Sequence, residues 1–110
     1  MSVTLEQARR TGEQSAMHAA LHADATIDGW TVQASVLFVD YARDIAKGQP
    51  FLTEEVREWA EDGGLPSPPD RRAWGHIAKA MKMAGHVTNA GFRAARSSNG
   101  SPKVAWRYVP

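Results

Sequence analysis

Apolar residues recur with helical spacing in the middle of the chain. Trp30, Ala34, Leu37, Phe38, Tyr41 and Ile45 fall at intervals of three and four, which places them on one stripe of a helix. Asp28 is positioned to cap its start and Gly48 to end it, with Asp40, Arg43, Asp44 and Lys47 on the other faces. Upstream, "TLEQARRTGEQSAMHAALHADA" favours a first helix, with Thr4 and Gln7 at capping-box spacing. Its apolar face (Leu5, Ala8, Ala16, Ala19, Ala20) is made of mostly small side chains, so this helix needs a partner surface to persist. Phe51 and Leu52, after a proline, make an apolar pair long enough only for an edge strand. Thr53 is the expected cap of a third helix whose inner face is Val56, Trp59 and Ala60. "GGLPSPP" breaks the pattern. Asp70 then caps a fourth helix, roughly 71–84, with Trp74, Ile77, Ala78 and Met81 inward and Gly85 as its stop. Strands at about 87–96 and 103–109 flank "SSNGSP" as a hairpin, with Val104, Trp106 and Tyr108 on one face and Arg107 on the other.

The expected fold class is therefore mainly α with a small β-hairpin (α+β). Residues 28–110 have the element order of a winged helix-turn-helix domain, and residues 1–27 form a preceding helix available for packing or dimerisation. In winged helices the third helix of the unit enters the major groove and the hairpin touches backbone or minor groove.

Charge sharpens this expectation. The net charge of the whole chain is +1, but residues 1–62 carry five Lys and Arg against eleven Asp and Glu, and residues 63–110 carry eight against Asp70 alone. A division of −6 and +7 points to an anionic partner for the second part. The cations of the fourth helix are Arg71, Arg72, Lys79 and Lys82, with His76 beside them. Those of the hairpin are Arg93, Arg96, Lys103 and Arg107. Arg71 and Arg72 open the helix, where recognition helices meet base edges, and arginine can grip guanine through two hydrogen bonds. The hairpin cations, with Ser97, Ser98, Asn99 and Ser101, suit phosphate. About five neutralised phosphates would give a salt slope near −4.5. Gly75 is expected to pack closely against the Trp30–Ile45 helix. Trp30, Trp59, Trp74 and Trp106 sit at inward positions and read as core, which disfavours a single-strand stacking surface.

Other chemistries find less support. There is no cysteine, which excludes disulfides and thiolate metal sites. His18 and His22 stand at i and i+4, but a metal would need a third ligand, for which Asp24 is only a loose candidate. A metal-dependent nuclease needs clustered carboxylates, and no phosphate-cradling glycine motif or nucleophile elbow occurs. No catalysis, cofactor or metal is expected. The start "MSVTLEQARR" lacks the apolar run of a signal peptide and no stretch suits a bilayer, so a cytoplasmic location and no membrane partner are expected.

The run "FLTEEVREWA", "PPDRRAWG", the Gly85 stop, the "GFR" strand and the final "VAWRYV" resemble small phage and prophage proteins of winged-helix type, with a weaker likeness reaching up to "HADATIDGW". The resemblance covers most of the chain. It implies phage-linked regulation or DNA replication and recombination in a bacterial host, with double-stranded DNA as partner. A homodimer through the first helix follows from its small-residue face and the frequency of two-fold pairing. The rival expectation is a docking module for a phage or host protein built on the same fold.

Overall fold

The computed structural model describes residues 5–96 and 99–110, with side chains from Gly12 onward. It contains α1 (Leu5–Thr26), α2 (Trp30–Asp40) continued by a π-helical turn (Tyr41–Ile45), β1 (Phe51–Leu52), α3 (Thr53–Asp62), α4 (Ala73–Met83), β2 (Val87–Ala95) and β3 (Ser101–Tyr108). The strands form one antiparallel sheet in the order β1-β3-β2. The fold class is thus α+β: four α-helices and a three-stranded sheet. The capping box at Thr4 and Gln7 lies outside the described residues and side chains.

One core joins every helix to the sheet. Trp30, Ala34 and Phe38 of α2 meet Phe51, Val56, Trp74, Ile77 and Val87, and α1 adds Ala19, Ala20 and Ala23. Trp30 and Trp74 meet edge to face at 5.3 Å, and Phe51 stacks edgewise on both Phe38 and Tyr41. The small side chains of α1 are what let its backbone come close enough to share this core. A second, smaller cluster of Leu52, Ala95 and Ala105 lies apart from it. Register explains the division: Phe51 faces Trp106 across β1 and β3, and Leu52 faces Ala105. Successive strand residues point to opposite faces. Val104, Trp106 and Tyr108 do share a face, and the opposite face, expected to be polar, buries Ala105 between Lys103 and Arg107.

Three local expectations are corrected. Ile45 is not on the inward stripe; it is 50% exposed. The amide of Ala46 bonds the carbonyl of Tyr41 five residues back, at 2.9 Å. This wider turn puts Ala46, not Ile45, beneath Tyr41 against the core. Asp28 does not cap α2. Asp24, from the last turn of α1, accepts the Thr31 amide (2.9 Å) and hydroxyl (2.8 Å) instead, and Gly29 adopts φ 69° at the junction. Thr53 does not cap α3 either: its hydroxyl accepts the Trp106 indole N–H, and Glu55 reaches back to the Leu52 amide at 2.9 Å.

The stop of α4 follows the sequence but its start does not: the helix begins at Ala73 with Arg72 at its cap position, so Asp70 does not cap it and Arg71 and Arg72 precede the helix instead of opening it. Asp70 accepts the Arg72 amide at 2.9 Å, and a tight turn over residues 70–72 leads into the helix. At the other end Gly85 takes φ 85°, with Gly85 N–H bonded to Lys82 and His86 N–H to Met81, the paired bonds of a Schellman stop. The hairpin carries a feature that periodicity did not signal. Asn89 faces Trp106 but Phe92 faces Val104, so β2 holds one extra residue, a bulge at Ala90–Gly91 with Gly91 at φ 93°. Ser97 and Ser98 of the tip lie outside the described residues.

Candidate nucleic-acid interface

The cations of α4 and its lead-in turn have unlike surroundings. Arg72 is folded onto Asp70, its guanidinium donating to both carboxylate oxygens at 2.6–3.1 Å. That contact, with the Arg72 amide, holds the Asp70 carboxyl below the usual carboxylate range, and Asp70 in turn raises Arg72. Lys79 pairs with Glu13 of α1. Arg71 and Lys82 are exposed and make no ion pair with a described residue, and His76 is half-buried.

On the hairpin, Arg93 donates to the Pro50 carbonyl (3.1 Å) and to Glu55 (3.3 Å). Arg96 donates through its side chain to Glu58 (2.8 Å), and through its amide to the buried Glu54 (2.9 Å). Arg107 reaches the Gly48 carbonyl at 3.1 Å. Lys103 has no ion-pair partner among the described residues. Three acidic residues of the first part, Glu13 of α1 and Glu55 and Glu58 of α3, therefore balance cations of the second part by direct contact. Exposed pairs of this kind are each worth about 0–1 kcal/mol, so they can be exchanged for other anions.

Four cations from three places in the chain meet at one cleft of about 560 Å³: Arg57 of α3, Arg71 and Arg72 before α4, and Lys103 of β3. Its remaining wall is largely apolar, with Leu52, Trp74, Gly75, Ala78, Ala95, Val104 and Trp106. Glu54 also lines it, with one oxygen bound to the Arg96 amide. Arg57 was not singled out from the sequence. It sits among glutamates in the acidic part of the chain, and only the spacing Thr53–Arg57, one turn into α3, hinted that it shares the face of the helix start.

The outer side of α4 is not open to solvent along its length. A Cβ at Gly75 would stand 3.8 Å from Ala16 of α1, so the close helix contact is with α1 and not with α2 as expected. The Glu13–Lys79 pair continues this contact. Beyond it a crevice of about 370 Å³ opens between the two helices, lined by Met17, His76, Ala80 and Met83 among others. His18 and His22 are exposed on α1, and both oxygens of Asp24 are taken by Thr31.

Of the nine residues expected at a DNA surface, Arg71, Arg72 and Lys103 come together at the cleft. His76 and Lys79 turn toward α1, Lys82 is exposed and lines neither cavity, while Arg93 and Arg96 pair with α3 and Arg107 reaches the loop before β1. Comparison with protein-family models, curated proteins and solved structures finds no match to the chain. No helix among the described residues is long and apolar enough to cross a membrane.

Proposed function

We propose that this is a winged-helix protein that binds duplex DNA without catalysis, in phage-linked regulation or replication in a host cytoplasm. The connectivity supports the winged helix: β1, then α3 and α4, then a β2–β3 hairpin whose second strand pairs back with β1. The observation that carries the DNA reading is the meeting of Arg57, Arg71 and Lys103 at one cleft, without ion pairs to described residues. Three unpaired cations held by separate elements make a seat for phosphates, which are the main source of protein–DNA affinity. Among the described residues lining the cleft Glu54 is the one carboxylate beside four cations, a balance that suits an anionic ligand. The test is an electrophoretic binding assay on short duplexes with a salt titration. Binding that weakens steeply with salt supports the reading; no binding at micromolar protein in low salt refutes it.

One observation favours the second reading, a protein-docking module. Helix α1 lies over the side of α4 that a recognition helix would present to the groove, and Met17 (43% exposed) and Met83 (76% exposed) flank the crevice between them. Met17 and Leu21 also leave an apolar edge on α1 through which a homodimer would form. Sedimentation at several concentrations tests that pairing, which predicts a mass twice that of the chain.

A further inference from the structure

Exposed Phe92 has no role in the core and no role in phosphate binding. It is 70% exposed on β2, and the strand register sets it directly opposite Val104 on β3. Residues opposite each other in an antiparallel pair share a face of the sheet. Val104 is half-buried and lines the cationic cleft, as does Trp106 two residues further along the same face. An apolar path therefore runs from Trp106 through Val104 to Phe92, with Arg71 lining the cleft at which it begins and Lys103 lining that cleft from the opposite face of β3.

A continuous duplex has little use for such a path. Its accessible backbone is phosphate and sugar, and its bases are stacked out of reach of a concave apolar wall. The helix that would follow the groove is partly covered by α1 at Gly75 and Lys79. An unpaired nucleotide has the matching chemistry: a phosphate for the cations and a free π-face for an aromatic ring. The cleft volume of about 560 Å³ lies within the range of sites that enclose small ligands, about 300–1,000 Å³.

We propose that the cleft and the adjoining face of the hairpin take an unpaired nucleotide. Phosphate then rests on Arg71 at the cleft and the base lies along Val104 and Phe92, so the preferred target is a duplex with a single-stranded extension. This inference rests on the DNA-binding reading and narrows it. It departs from the expectation, drawn from the four inward tryptophans, that a single-strand stacking surface is disfavoured; Phe92 is the exposed aromatic that changes it.

The experiment uses the full chain and fluorescence anisotropy with three labelled probes: a blunt duplex, the same duplex with a short single-stranded overhang, and the lone strand. The overhang duplex should bind about tenfold tighter than the blunt one, within the effect of one base–aromatic stack. Phe92→Ala should bring the two duplexes together while leaving blunt binding unchanged; its exposure makes the fold insensitive to the change. Equal binding of blunt and overhang duplexes by the parent overturns this inference alone. Equal losses on both duplexes in Phe92→Ala also overturn it. Absence of binding to every probe removes the DNA reading as well. Displacement of the overhang probe by an acidic peptide more effectively than by a free oligodeoxynucleotide assigns the cleft to protein and overturns the proposal.

Discussion

Arg71 and Arg72 are adjacent in the chain, yet only Arg72 has a carboxylate beside it. For Arg72 to meet DNA it must leave Asp70, which it helps to hold ionised; Arg71 gives up no ion pair with a described residue. Arg71→Ala should therefore weaken duplex binding more than Arg72→Ala does. Anisotropy titrations of both variants across salt check this, with Arg71→Ala and Lys103→Ala each reducing the slope by about one unit. Asp70 itself gives a pH prediction. Its carboxyl is lowered by the Arg72 side chain and then by the Arg72 amide. A depressed folded-state pKa stabilises the fold above the unfolded value, and the contribution disappears as pH falls through the folded one. Asp70→Asn should melt below the parent at neutral pH, and the gap should close as the pH drops below the ordinary carboxylate range. A gap that persists in acid would mean that packing, not charge, sets the role of Asp70.

At the scale of elements, glycines supply the clearest tests. Gly75 lies inside α4, where alanine is favoured by about 1 kcal/mol. A Cβ there would meet Ala16 at 3.8 Å, an ordinary contact. Gly75→Ala should raise the melting temperature by a few degrees, or about 4–8 °C if the full propensity gain is realised. Gly91 is the opposite case: at φ 93° in the β2 bulge, any side chain is strained, and Gly91→Ala should lose about 1–3 kcal/mol in denaturant unfolding. These elements were legible in the sequence to unequal degrees. The stripe of Trp74, Ile77, Ala78 and Met81, the Gly85 stop, the short strand at Phe51 and the hairpin all follow from period and punctuation. The π turn does not, because Ile45 and Ala46 both suit a helix and only the packing around Tyr41 decides which turns inward. The bulge at Ala90–Gly91 is hidden for a related reason: one added residue leaves composition unchanged while shifting the register. The caps from Asp24 and Glu55 and the approach of Arg57 to the cleft are tertiary facts. Along the chain Arg57 stands among the acids, while the fold places it with Arg71 and Lys103.

At the scale of the molecule, the charge division has two consequences that salt can separate. In the free protein Arg93 and Arg96 are matched by Glu55 and Glu58, whereas Arg57, Arg71 and Lys103 meet at the cleft without such partners. A cation that keeps its intramolecular glutamate neutralises no phosphate and releases no counterion from DNA. If only the three cleft cations engage, log K should fall against log salt with a slope near −2.7, shallower than the value near −4.5 expected when about five phosphates are neutralised. The glutamates of α3 then limit how much of the basic hairpin reaches DNA. The combined substitution Glu55→Gln and Glu58→Gln tests this without dismantling the start of α3, since glutamine keeps an oxygen able to accept the Leu52 amide. Freed of their partners, Arg93 and Arg96 should add close to two phosphates. The slope should steepen to near −4.5, and low-salt affinity should rise. Thermal melting of the variant serves as the control, because loss of two exposed pairs should change stability by about 0–1 kcal/mol each. An unchanged slope in a folded variant would mean that the hairpin arginines face away from the DNA, leaving the cleft as the whole of the electrostatic surface.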